Sequence, residues 1–302
     1  MKTNREIRAE AWGLLWKEGW IWRFAIASLL LGAVVWGVMG AIALAYRQMG
    51  VESLQDFLAA KQQAAAEGLG FTAPSDEAMM RMVIASLFQT FVQYLMSGIG
   101  MFGAVSLALK AMRGDRTHWL GTMFAGFGAP FTMFWQMFSL QIRIACWIIL
   151  AAVPVSVLGV AFGGVALGTA IVVLLVFVVI LWLFYRYRNA WFLKADHPDW
   201  GAGKCIGGSV EMMKGWKTKA VRLDCSYWLS ALWLLPPTVA LLWLAVKCSQ
   251  EGLDGLTNAD LILAGAAGVL TVVAGLIVGW YVVLGHAIFY REMQADERNI
   301  GE

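Results

Sequence analysis

The stretch IACWIILAAVPVSVLGVAFGGVALGTAIVVLLVFVVILWLFYRYR, residues 144–188, decides the fold class, and it holds no charged side chain before Arg186. A helix needs about 20 apolar residues to cross the roughly 30 Å hydrocarbon core, because lipid offers no partner to an unpaired backbone amide or carbonyl. Two such crossings fit here, over 144–162 and 165–184, with little more than Gly163 and Gly164 between them. A connection that short forces a tight antiparallel hairpin.

Working outward, four further stretches pass the same test: 24–46, 83–109, 223–246 and 260–288. Only 14% of the 302 residues are charged, where a soluble domain carries about a quarter. The chain therefore reads as an all-α, polytopic transmembrane helical bundle of about six spans, a single integral membrane domain over 1–302. Of its 23 Lys and Arg residues, only Arg47, Lys61, Arg81 and Lys247 fall on one side; all the others flank the opposite ends of the spans. Basic residues collect in the cytoplasm, which places both termini there. Trp12, Trp16, Trp20, Trp22, Trp182 and Trp216 fall at the same boundaries, where indole favours the headgroup layer. The basic leader and the apolar run after it are too long for a cleaved signal peptide, so the first span reads as a retained helix. A net charge of +3 gives no reason to expect a nucleic-acid partner.

The connections carry their own signals. Residues 1–22 read as a cytoplasmic amphipathic helix, with Ile7, Ala11, Leu14 and Leu15 at helical spacing. The external loop 47–82 reads as holding a short helix, started by the Ser53 and Asp56 capping pair and stopped at Gly68 or Gly70. The aromatic segment 110–143, broken by Gly121, Gly126, Gly128 and Pro130, reads as interfacial or re-entrant. The connection 186–222 reads as a further cytoplasmic amphipathic element, with Ala202, Cys205, Ile206, Val210 and Met213 as its apolar stripe and Gly215 as its stop. Each pair of spans thus follows an interfacial segment, and Lys17-Glu18-Gly19-Trp20 and Lys214-Gly215-Trp216 occupy similar places, a pattern of three surface-helix-plus-hairpin units.

Candidate sites are few. Arg186, Arg188 and Arg222 collect where spans enter the membrane, and guanidinium forks match phosphate, so they are candidates for a headgroup or anion contact. The plainer reading is that they snorkel to water. Arg143 and Asp224 are the candidate structural ion pair. Gln89, Gln93 and Ser97 share one face of the second span; they read first as hydrogen-bonding glue between helices and second as the lining of a polar path. Pro236 and Pro237 mark a helix break in the fifth span, a static kink or a transporter-like interruption. Gly98, Gly100 and Gly103 spell GxGxxG, yet no strand precedes them, so they signify packing, as does Gly275 with Gly279. Cys146, Cys205, Cys225 and Cys248 have no CxxC spacing, and His118, His197 and His286 form no metal motif, so neither metal nor cofactor is expected.

The phrase Tyr185-Arg186-Tyr187-Arg188, then Asp196-His197-Pro198 and SVEMMKGWK at 209–217, resembles a bacterial membrane family catalogued as domain-of-unknown-function family 975. Arg113-Gly114 with Phe124, Gly126 and Phe127, and the closing Ala287-Ile288-Phe289-Tyr290, continue the likeness. His197 stands where that family has Asn, and 223–228 departs from its apolar pattern. The resemblance implies a polytopic protein of the bacterial inner membrane and brings no activity with it. The reading that follows is a non-enzymatic bundle that binds the membrane surface or a partner, with membrane lipids as its first partner and a protein partner or a second copy as another. A small-solute or lipid transporter using the Pro-broken span is the alternative.

Overall fold

The computed structural model describes residues 2–49, 61–63, 75–251 and 257–301, with 18, 155–169, 231, 250, 251 and 297–301 described by backbone alone. All regular structure among these residues is helical, and six helical stretches are long and apolar enough to cross a membrane. The chain is an all-α membrane bundle of six candidate spans. The short helix expected between Ser53 and Gly70 lies outside the described residues.

Helix α1 (Asn4–Trp16) opens on a capping box. The Thr3 hydroxyl accepts from the Glu6 amide, and the Glu6 carboxylate accepts from the Thr3 amide at 2.7 Å. That backbone hydrogen bond holds the Glu6 carboxyl below its usual value. The cap is therefore complete at neutral pH and is lost as pH falls through the lowered value. Ile7, Ala11 and Leu15 recur every fourth residue and are buried. A left-handed Gly19, φ 77°, turns the chain into α2 (Trp20–Gln48). Gly215, φ 79°, makes the corresponding turn before the fifth span, so the two phrases that look alike share one backbone device.

Helix α3 (Asp76–Met112) is the central pillar. Half of its apolar window is buried, against 12% or less in each other span. Gly98, Gly103 and Gly126 explain how it is enclosed. A side chain at Gly98 would meet the Met133 carbonyl oxygen at 2.7 Å, one at Gly103 the Met123 oxygen at 2.0 Å, and one at Gly126 the Ile99 Cα at 3.0 Å. Short helix α4 (Trp119–Met123) and the 3₁₀ turn Ala125–Gly128 therefore lie directly on the α3 backbone.

Helix α5 begins at Pro130, in the first turn where its missing N–H costs nothing. Residues 130–143 are thus the opening turns of the third span's helix, correcting their assignment to the connection before it. Helical hydrogen bonding is assigned throughout Pro130–Tyr187, 58 residues. A straight helix would hold Trp147 and Trp182 roughly 50 Å apart, yet their rings meet edge to face at 5.5 Å. The chain therefore doubles back between them, and the midpoint of the pairing falls beside Gly163 and Gly164. Two spans result, packed through Ile144, Leu140, Val179 and Leu183.

Helices α6 (Ala190–Asp196) and α7 (Ala202–Met212) follow. Ala190, Trp191, Phe192, Leu193 and Lys194 are all buried, so this part of the 186–222 connection is core and not a detached surface helix. The Lys194 ammonium donates to the carbonyls of Pro198 and Trp200, both at 2.7 Å, which is how a cation survives there. Cys205 is fully buried on α7, and desolvation raises its thiol. In the folded protein Cys205 should resist maleimide through an overnight incubation and react within minutes after denaturation, read by intact mass.

The fifth span is α8 (Lys217–Ala231), a 3₁₀ turn Leu232–Leu234, and α9 (Leu235–Glu251). Pro236 and Pro237 remove two donors directly after the turn, and the Thr238 hydroxyl donates to the next carbonyls, those of Leu234 and Leu235, at 2.5 and 3.0 Å. Helix α10 (Asn258–Gly301) is the sixth span and runs on past the membrane stretch. At its outer end Lys247 clasps Asp260 at 2.7 Å, a contact between spans five and six that no spacing announces.

The core gathers at the end of the bundle where both termini lie. It joins α1, the start of α2, the last turns of α3, α6, α7, the start of α8 and residues 280–293 of α10. Farther out, Trp36, Leu87, Leu150, Val173, Trp243 and Val269 are exposed on their spans. The result is a tightly packed base with open apolar helices rising from it. Gln89 and Gln93 are exposed as well, with Ser97 half-buried. Among the described residues no side-chain hydrogen bond joins either glutamine to a neighbouring helix.

Candidate functional site

The stretches that carry the family resemblance converge on the base. Asp196 accepts from Arg113 at 2.8 Å, from the Tyr290 hydroxyl at 2.9 Å and from Gln294 at 3.1 Å, tying the end of α3 to α6 and α10. Ser209 takes the Asn189 amide at 3.1 Å and donates to the Arg186 carbonyl at 3.2 Å, sealing the end of the α5 return arm. Gly114, φ 72°, turns the chain after Arg113.

A second polar centre lies between α5, α8 and α10. Arg188 donates a two-pronged pair to Asp224, both at 2.9 Å, and His286 Nε2 lies 2.9 Å from Asp224 Oδ1. The carboxylate can only accept, so Nε2 carries the hydrogen. The Arg188 side chain is 3% exposed and that of Asp224 19%. Phe289 and Tyr185 rings flank the guanidinium at 5.8 and 5.9 Å. Tyr227 stands beside the centre, its ring edge-on to Tyr281 at 4.9 Å. Its hydroxyl is buried with no hydrogen-bond partner, and only a glycine fits opposite it, since a Cβ at Gly285 would lie 1.7 Å away.

This arrangement corrects the expected Arg143–Asp224 pair. Arg188, at the end of the return arm, takes the carboxylate, and Arg143 is exposed. The expected anion trio is also divided. Arg188 is committed to Asp224. Arg186 lies over the rings of Trp182 at 4.8 Å, Trp147 at 5.6 Å and Tyr187 at 5.9 Å, a cation–π seat that lets it sit at the membrane boundary. Arg222 alone faces a groove open to the surrounding medium.

That groove, about 530 Å³, runs between the start of α1, α8 and α10. Lys2, Arg5, Arg8, Lys219 and Arg222 line it with no acidic side chain among the lining residues. Lys2 is engaged by Glu10 at 2.6 Å and Glu292 at 3.3 Å, contacts that raise its ammonium, the Glu10 hydrogen bond most. Sequence reading missed this site because its cations come from positions more than 200 residues apart. A second groove, about 430 Å³, opens between α2, α3 and α10 over Gly32, Gly100, Gly275 and Gly279. The small residues at 275 and 279 are therefore not filled by a neighbouring helix of the chain. Gln89 and Gln93 line neither groove. Among the described residues no group of three His, Cys, Asp or Glu side chains could hold a metal ion. No family model, curated protein or solved structure matches the chain.

Proposed function

We propose that this chain is a non-enzymatic protein of the bacterial inner membrane whose base sits at the cytoplasmic surface and binds anionic lipid headgroups. The observation that carries this reading is the groove of five cations at the end of the bundle where both termini lie. Trp12, Trp16 and Trp22 are exposed around the same end, as expected of rings that rest in the headgroup layer. A juxtamembrane cation near an anionic leaflet is worth about 1 kcal/mol, so several together give a clear lipid preference. The resemblance to family 975 supports the bacterial membrane setting.

The transport alternative rests on the 3₁₀ break at Leu232–Leu234. The space beside that break is lined mainly by Trp12, Trp16, Trp233 and Tyr281, with Ser230 the polar exception. Such a lining suits a hydrocarbon chain and not a hydrated solute.

Two measurements test the reading. Reporter fusions at both termini should be active only in the cytosol. The detergent-extracted protein should also carry phosphatidylglycerol enriched several-fold over its share of the membrane. Termini facing the other way, or co-extracted lipid in membrane proportions, would overturn it.

A further inference from the structure

We infer that the basic groove and the apolar groove beside the fifth-span break are two halves of one binding site for a single anionic phospholipid, headgroup at one end and acyl chain at the other. The inference rests on the lipid-binding reading above and makes it specific.

The same three helices form both grooves, and each changes character in the same order. Along α1 the lining passes from Arg5 and Arg8 to Trp12 and Trp16. Along α8 it passes from Lys219 and Arg222 to Ser230, with Trp233 just past the helix end. Along α10 it passes from Phe289 to Tyr281 and then Ala274. The hydrogen bond from Arg8 to the Ser226 carbonyl, 2.9 Å, stands between the two. Four residues farther along α1, Trp12 meets Tyr281 edge to face at 5.5 Å. From Arg222 to Ser230 the helix rises roughly 12 Å, about the reach from a phosphate past the glycerol into the first methylenes of a lipid.

The chemistry at the two ends selects the occupant. Lys2 is held by acidic neighbours, so Arg5, Arg8 and Arg222 carry the head end. Arg8 is tied to the Ser226 carbonyl, which leaves Arg5 and Arg222 with guanidinium forks to offer a phosphate. The far end offers about 380 Å³ walled by indole, phenol and aliphatic side chains. Free phosphate would leave that volume empty, and a zwitterionic lipid would bring a cation to a cluster of cations. A diacyl lipid of net negative charge satisfies both ends.

The test is native mass spectrometry of the full chain in mild detergent, titrated with phosphatidylglycerol, with phosphatidylcholine of the same chains, and with inorganic phosphate. We expect one discrete phosphatidylglycerol adduct, retained at least tenfold better than phosphatidylcholine. Arg5→Ala with Arg222→Ala should weaken it roughly tenfold or more. Ala274→Trp, which fills the apolar end and leaves every cation in place, should weaken it similarly, with unchanged thermal unfolding showing that the fold survives; Ser230→Leu is the second variant should that one unfold. If the arginine pair matters and neither filling variant does, the two-part site is wrong and only a charged surface remains. A general phosphatidylglycerol excess with no single adduct overturns the two-part site in the same way. Equal retention of both lipids overturns this inference and the surface reading together. Competition by phosphate at equal strength, or a co-purified polypeptide seated in place of lipid, overturns the lipid as occupant.

Discussion

Asp224→Ala is expected to destabilise the protein by about 3–5 kcal/mol, since removing one partner of a buried pair leaves the other charge without compensation. The guanidinium left behind, Arg188, is 3% exposed and directs both of its prongs at that carboxylate. Among the described residues no other acidic side chain pairs with it. The measurement is chemical unfolding in detergent micelles, followed by tryptophan fluorescence. Two companions separate the ion pair from loss of packing. Arg188→Met with Asp224→Leu should recover most of the loss, because a matched apolar pair imposes no desolvation. His286→Ala should cost less, about 1.5–3 kcal/mol, the worth of a single hydrogen bond to a charged group. Equal losses in all three variants would mean that side-chain volume, and not charge pairing, holds the junction of α5, α8 and α10 together.

Gly103→Ala should cost about 1–3 kcal/mol. The added methyl would lie 2.0 Å from the Met123 carbonyl oxygen, a backbone atom that cannot rotate aside. The segment 119–128 must lift off α3 to admit it. Amide hydrogen exchange across that segment should rise at least tenfold while the outer halves of the spans stay unchanged. Gly121→Ala is the control, because its new Cβ meets nothing within 4 Å. Matching behaviour of the two variants would show that helix propensity dominates and that the close approach is unimportant.

The spans were legible because a membrane restricts the backbone so severely. Length and apolarity alone locate them, and Gly163-Gly164 locates the reversal that Trp147 and Trp182 register. The buried faces of α1 and α7 followed from spacing, with Ile7, Ala11 and Leu15 on one and Ala202, Cys205 and Ile206 on the other. What stayed hidden depends on contacts between distant residues. The aromatic run after Pro130 has the composition of an interfacial loop, and only its continuous hydrogen bonding with the third span makes it helix. Lys194 reads as a surface cation until the Pro198 and Trp200 carbonyls surround it. Arg143 was the expected partner of Asp224, and the register of the doubled-back α5 gives the carboxylate to Arg188 instead. The basic groove was the hardest to see, since Arg5 and Arg222 become neighbours only when α1 folds back across α8.

With the densest side-chain interlocking at the base, the molecule is like a fork whose tines are gripped mainly at the handle. Lateral pressure from the surrounding acyl chains then sets how far apart the tine tips stand, and the Lys247–Asp260 clasp joins one pair of them. Thinning or stretching the bilayer is therefore expected to shift the distal tips while the handle keeps its shape.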